Sequence, residues 1–105
     1  MSGIQNERVQ LGQENGPDVE LIVSGTKLYA NYETPDGYPV IYDERLGLYC
    51  YARVVEGRYQ STGVSLQEPA PPEVSRHAKE SDDVREATIR EREAKRERHL
   101  SQKQD

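Results

Sequence analysis

Residues 29–59 read YANYETPDGYPVIYDERLGLYCYARVVEGRY, and this stretch decides the fold. It holds all seven tyrosines of a chain that has neither Phe nor Trp. Side chains alternate in short runs, and turn residues separate the runs. Over residues 27–33, Leu28, Ala30 and Tyr32 oppose Tyr29, Asn31 and Glu33, the period of a strand. Pro35-Asp36-Gly37 closes a hairpin, because Pro presets φ and Gly takes the left-handed position. Residues 38–43 return. Pro39 has no N–H, which places that end at a sheet edge or outside the ladder. After Arg45-Leu46-Gly47 comes the longest predicted strand, residues 48–55, with Leu48, Cys50, Ala52 and Val54 on one side and Tyr49, Tyr51 and Arg53 on the other. Glu56-Gly57 is a two-residue hairpin turn, and residues 58–64 form the last strand.

Upstream, residues 9–13 read as a first strand, Asn15-Gly16 as a turn extended by Pro17-Asp18, and residues 19–24 as an alternating second strand ended by Gly25. Strand signals recurring every eight to twelve residues predict an antiparallel meander. Downstream the composition changes. Pro69-Ala70-Pro71-Pro72 predicts a stiff extended linker. Residues 84–100 contain no Gly or Pro and are mostly good helix formers. Asp83 with Glu86 offers a capping box, and Glu86 with Arg90 and Glu91 with Lys95 offer i,i+4 ion pairs. Val84, Ala87, Ile89, Ala94 and Leu100 make no continuous stripe, so the helix is expected to be a solvated arm. The expected organisation is a flexible N-terminus (1–8), an antiparallel β-domain (9–68), a Pro-rich linker (69–82) and a charged helical tail (83–105). The fold class is mainly β plus a helix.

Composition narrows the function. With 105 residues there is room for one compact domain. Residues 1–68 carry ten acidic and five basic side chains, and residues 69–105 carry nine of each. Neither half is a basic patch, which argues against nucleic acid and against an anionic membrane surface as partners. Residues 1–20 contain no apolar signal-peptide core, and no run approaches a membrane span. Cys50 is the single cysteine, so no intrachain disulfide and no multi-cysteine zinc site exists. It reads as a small buried hydrophobe; a reactive thiol would need a cation beside it, and Arg53 is the nearest candidate.

No catalytic constellation emerges. His77 and His99 both fall in the polar tail, 22 positions apart, which fits no zinc spacing. The predicted β-domain has no histidine, and its glycines mark turns rather than a phosphate loop. Asp36 and Asp43 sit at turns, where Asp serves the local backbone. Neither an enzymatic role nor any cofactor or metal is expected. Tyrosine instead joins an apolar ring to a hydroxyl that needs a partner, and it is enriched at binding hot spots. Tyr29, Tyr49 and Tyr51, with Arg53 beside them, are the candidate protein-binding residues, expected to form a cluster outside the aliphatic core.

The order of these pieces resembles a known family. Gln13-Glu14-Asn15-Gly16, Leu21-Ile22-Val23-Ser24-Gly25, Glu33-Thr34-Pro35-Asp36-Gly37-Tyr38, Leu48-Tyr49-Cys50-Tyr51-Ala52-Arg53 and Thr62-Gly63 are similar to the N-terminal propeptide region of secreted zinc metalloproteases of the immune inhibitor A family. Pro71-Pro72 leading to Arg76-His77 and a charged helix resembles the segment that joins propeptide to catalytic domain there. The resemblance covers roughly residues 9–98. Three departures stand out: the HExxH protease domain is absent, a secretion signal is absent, and Thr26-Lys27 replaces an acidic pair usual after the glycine matching Gly25. If that pair contacts the protease or its metal, this chain lacks the contact.

The resemblance implies a non-catalytic propeptide-like module whose partner is a metalloprotease catalytic domain, inhibited or assisted in folding. It also implies an extracellular or periplasmic setting, while the lack of a signal peptide leaves the cytoplasm open. The alternative is a stand-alone structural module that forms homo-oligomers through its β-edges and helical arm.

Overall fold

The computed structural model describes residues 4–26 and 28–102, with side chains over 5–26 and 28–96. Six strands, β1 (Ile4–Gln13), β2 (Gly16–Gly25), β3 (Ala30–Glu33), β4 (Pro39–Asp43), β5 (Leu48–Val55) and β6 (Arg58–Ser65), precede one helix, α1 (Asp82–Gln102). The strands lie in sequence order in one sheet, and every neighbouring pair is antiparallel. The fold is the predicted meander plus helix.

Four local differences have physical causes. β1 begins at Ile4, not Val9, and residues from Ile4 on pair with β2. Asn6 sits at φ 49, and the register shifts between Ile4 and Glu7. That bulge interrupts the period-two pattern by which a strand is recognised. β3 begins at Ala30, because Thr26 and Tyr29 exchange backbone hydrogen bonds (2.7 and 3.3 Å) around a two-residue loop; Lys27, within that loop, lies outside the described residues. Pro39 is neither at an edge nor outside the ladder. It opens the internal strand β4, pairs with Glu33, and is fully buried. The first position of a strand tolerates a missing N–H. Lastly, Arg85 N–H donates to Ser81 O (3.0 Å), so Ser81 is the N-cap and Asp83 lies inside the first turn. The expected capping box is therefore not formed. Of the two helix ion pairs anticipated, Lys95 Nζ lies 3.4 Å from Glu91 Oε1.

The turn at the centre of the quoted stretch forms as expected. Gly37 holds φ 94, and Thr34 and Tyr38 close the hairpin through Thr34 N–H to Tyr38 O (2.9 Å). Glu56 and Gly57 both have positive φ (51 and 79), as a type I′ hairpin requires.

Cross-strand partners assign the two faces. Val9 pairs with Leu21 and Leu11 with Val19, while Val23, Tyr32, Val40 and Tyr51 follow one another across the sheet. This face carries the core: Val19, Leu21 and Val40, packed by Val9, Leu11, Tyr32, Tyr49 and Leu66. The sheet curls so that its hairpin tips meet. Asn15 N–H donates to Gly47 O (3.0 Å), Asn15 Nδ2 to Leu46 O (2.8 Å), and Tyr49 N–H to Gln13 Oε1 (2.7 Å). The opposite face carries Glu33, Ile41, Asp43, Cys50, Ala52, Val54, Tyr59 and Ser61. There Asp43 accepts hydrogen bonds from Ser61 Oγ (2.8 Å) and from the amides of Arg45 and Leu46, which hold its carboxyl below the usual range.

The segment after β6 is docked as a belt. Tyr51 Oη donates to Glu68 O (2.8 Å), Arg53 pairs with Glu73, and Val74 is buried. Arg76 stacks over the Tyr38 ring (5.2 Å), and His77 N–H donates to Gly37 O (2.8 Å). From there the chain passes to the opposite face and enters α1. Over its described side chains the helix packs mainly at its start, with Arg92 farther on donating to Leu28 O (2.7 Å). Ser81, Val84, Arg85, Thr88 and Ile89 are half-buried at i, i+3, i+4 spacing, and residues 90–96 are exposed. The docked stripe is mixed, with Val84 and Ile89 among Ser81, Arg85 and Thr88, and it is too short to read as a continuous apolar face.

Candidate protein-interaction surfaces

A meander has two edges, and their backbone groups set what the sheet can accept. In an antiparallel ladder, hydrogen-bonded and non-hydrogen-bonded pairs alternate. The mutual bonds of Thr26 and Tyr29 fix that alternation across β2. Counting along the register, Val19, Leu21 and Val23 direct their N–H and C=O groups at β1. Arg8 and Gln10, between their partners, consequently point their backbone groups away from the sheet. Among the described residues, no side chain caps an amide of residues 7–11. The Arg8–Glu20 ion pair (3.0 Å) and the Asn6 bulge flank this free edge without covering it.

The β6 edge is different. Tyr59 and Ser61 are its outward-facing positions, because the tight Val55–Arg58 pair closes the hairpin. Tyr59 N–H donates to Glu80 Oε2 (2.8 Å), and Ser81 N–H donates to Gly57 O (2.9 Å). Farther along, Gly63 N–H meets Ser61 Oγ (3.1 Å) and Val64 N–H meets Thr62 Oγ1 (3.2 Å). Glu80 also accepts Tyr29 Oη at 2.5 Å, and Tyr59 Oη donates to Ala78 O at 2.8 Å. Burial and the neighbouring carboxylate push both phenols up, Tyr59 to about 12. Gly57 is needed for this approach: a Cβ there would meet Ser81 Oγ at 2.6 Å.

The predicted binding tyrosines are not brought together. Tyr29 lies on the face covered by the belt and helix, against Glu80. Tyr49 and Tyr51 lie on the core face, as does Arg53. Tyr49 packs on the aliphatic core, and Tyr51 is 7 % exposed with an edge-to-face contact to Tyr38 at 6.0 Å. The rings of Tyr49 and Tyr51 thus sit in or against the core rather than in the expected cluster outside it, and Tyr51 Oη reaches the Glu68 carbonyl at its margin. Arg53 is occupied by Gln60 and Glu73. Cys50 is buried, and that burial raises its thiol pKa; its neighbours are Leu48 O and Ser61 rather than a cation. His77 is mostly exposed but tied to Glu33 at 3.2 Å. The side chain of His99 lies outside the described residues.

Glu80 and Ser81 are the site residues that sequence reading did not single out. Glu80 contacts partners 51 and 21 positions away, so no local pattern signals it. A cleft of about 340 Å³ opens beside them, where β3 and β4 pair only at Tyr32–Val40 and Glu33–Pro39 and then splay; Tyr29, Tyr42, Tyr59, Glu80 and Arg92 line it. Among the described residues, no group of three His, Cys, Asp or Glu side chains could hold a metal ion, and no helix is long and apolar enough to cross a membrane. Compared with protein-family models, curated proteins and solved structures, the chain matches none.

Proposed function

We propose that this chain is a non-catalytic, propeptide-like protein-binding module that engages the catalytic domain of a zinc metalloprotease by strand addition at β1. One observation carries the reading: β1 presents the backbone groups of Arg8 and Gln10 uncapped, whereas at the other edge Tyr59 N–H and Gly57 O are taken by the chain's own belt. Strand addition draws affinity from main-chain hydrogen bonds and selectivity from alternating side chains. The tyrosines support the curled scaffold that presents this edge rather than forming the contact. The resemblance of the sequence to immune inhibitor A propeptides supplies the partner class, and bound β1 would mask the protease cleft or template its folding.

The test is a titration of an immune inhibitor A type catalytic domain with this chain, read by binding and by protease activity. Gln10→Pro removes an outward N–H and leaves the internal ladder intact. It should weaken binding by about tenfold, the worth of one main-chain hydrogen bond. Equal binding by the variant and the parent would defeat the β1 reading. A chain that binds its own copies through β1, and no protease, would favour the self-assembling alternative.

A further inference from the structure

The closing residues of the belt occupy the β6 edge in the manner of a neighbouring strand. Glu80 Oε2 stands where a neighbour's carbonyl would accept Tyr59 N–H, and Ser81 N–H stands where a neighbour's amide would reach Gly57 O. The carbonyl of Ser81 is instead engaged in the first turn of α1, where it accepts Arg85 N–H (3.0 Å). The Glu80 carboxylate takes its place. A second set of bonds fixes the arrangement: Tyr29 Oη to Glu80 Oε1, and Tyr59 Oη to Ala78 O. Two distant parts of the sheet therefore converge on four residues of belt.

We infer that residues 78–81 guard the β6 edge against the β1 edge of a second copy of this chain. The same molecule carries a free edge at one end of its sheet and, at the other, an edge masked at its first outward groups, Gly57 O and Tyr59 N–H. If both were open, β1 of one copy could pair with β6 of the next. That contact is heterologous and does not close, so it builds open chains of molecules. Natural sheets block such edges with charges and covering segments, and here one carboxylate and one helix N-cap do both. The inference rests on β1 being free but not on the identity of its partner, so a failure to bind any protease leaves it standing.

The test uses the full chain with Glu80→Ala/Ser81→Pro, which removes the acceptor and the donor together. Sheet integrity is followed by amide protection in β2 and β5. Sedimentation should show concentration-dependent growth into open-ended assemblies, and Tyr59 amide exchange should quicken by about tenfold or more in the dilute monomer. Adding Gln10→Pro to the same molecule should suppress assembly, and Glu80→Gln alone, which retains an acceptor, should behave as the parent. A double variant that keeps its sheet but sediments like the parent would overturn the inference. So would assembly that persists with Gln10→Pro. If the double variant loses its sheet, Glu80→Asp, which shortens the reach, takes its place with the same readouts. Loss of the sheet in both would also overturn the inference, since an edge guard is dispensable to the sheet it guards.

Discussion

Replacing Gly37 by Ala should destabilise the protein more than the same change at Gly63, and the difference measures the belt. Both glycines have positive φ, 94 and 75 respectively. An L residue held in this region costs roughly 1–2 kcal/mol, a term common to both sites. Around Gly63 a new Cβ meets nothing within 4 Å. At Gly37 it would stand 2.7 Å from His77 Cε1 and 2.9 Å from Nε2, so the imidazole must leave. With it goes the contact with Glu33, about 0.2–1 kcal/mol, while the main-chain bond from His77 N–H to Gly37 O does not depend on the ring. For a domain of this size about 1 kcal/mol shifts Tm by roughly 4–8 °C, so Gly37→Ala should melt lower than Gly63→Ala by roughly 1–8 °C. Thermal melts of the two variants decide it. Equal melting points would refute the claim that the His77 ring helps to pin the belt at this turn.

Alkali should release the same belt at its other anchor. The raised phenols of Tyr29 and Tyr59 stay protonated in the folded chain where the unfolded chain ionises, so stability is full below about pH 10 and falls as pH rises toward about 12. Denaturant melts across that window, compared with Tyr59→Phe, should show a shallower loss in the variant. Tyr51→Ser should cost roughly 3 kcal/mol or more by emptying a buried site and orphaning Glu68 O, a loss that urea titration would register. A stability change within about 0.5 kcal/mol would instead place Tyr51 on the surface.

The strands were legible because period two and Gly-centred turns are local signals. Pro35-Asp36-Gly37 and Glu56-Gly57 fall where their chemistry demands positive φ at glycine. The start of β1 was hidden by the Asn6 bulge, and the place of Pro39 by a rule that covers strand interiors but not first residues. The tyrosines were harder. Alternation correctly put Tyr49 and Tyr51 on one side of β5 but carried no information on which side the sheet would curl to enclose. The belt was illegible for a different reason. Its ties join Glu33 to His77 and Lys79, and Tyr59 to Glu80, across long separations, through residue types that in sequence look like a solvated tail.

The most direct test of the central proposal is residue-resolved amide exchange on the free chain and on its complex with a metalloprotease catalytic domain. Strand addition at β1 predicts that the amides of Arg8 and Gln10 exchange rapidly in the free chain and become protected in the complex, while Tyr59, already bonded to Glu80, changes little. Protection that appears elsewhere on the sheet or along α1, with Arg8 and Gln10 unchanged, would contradict it.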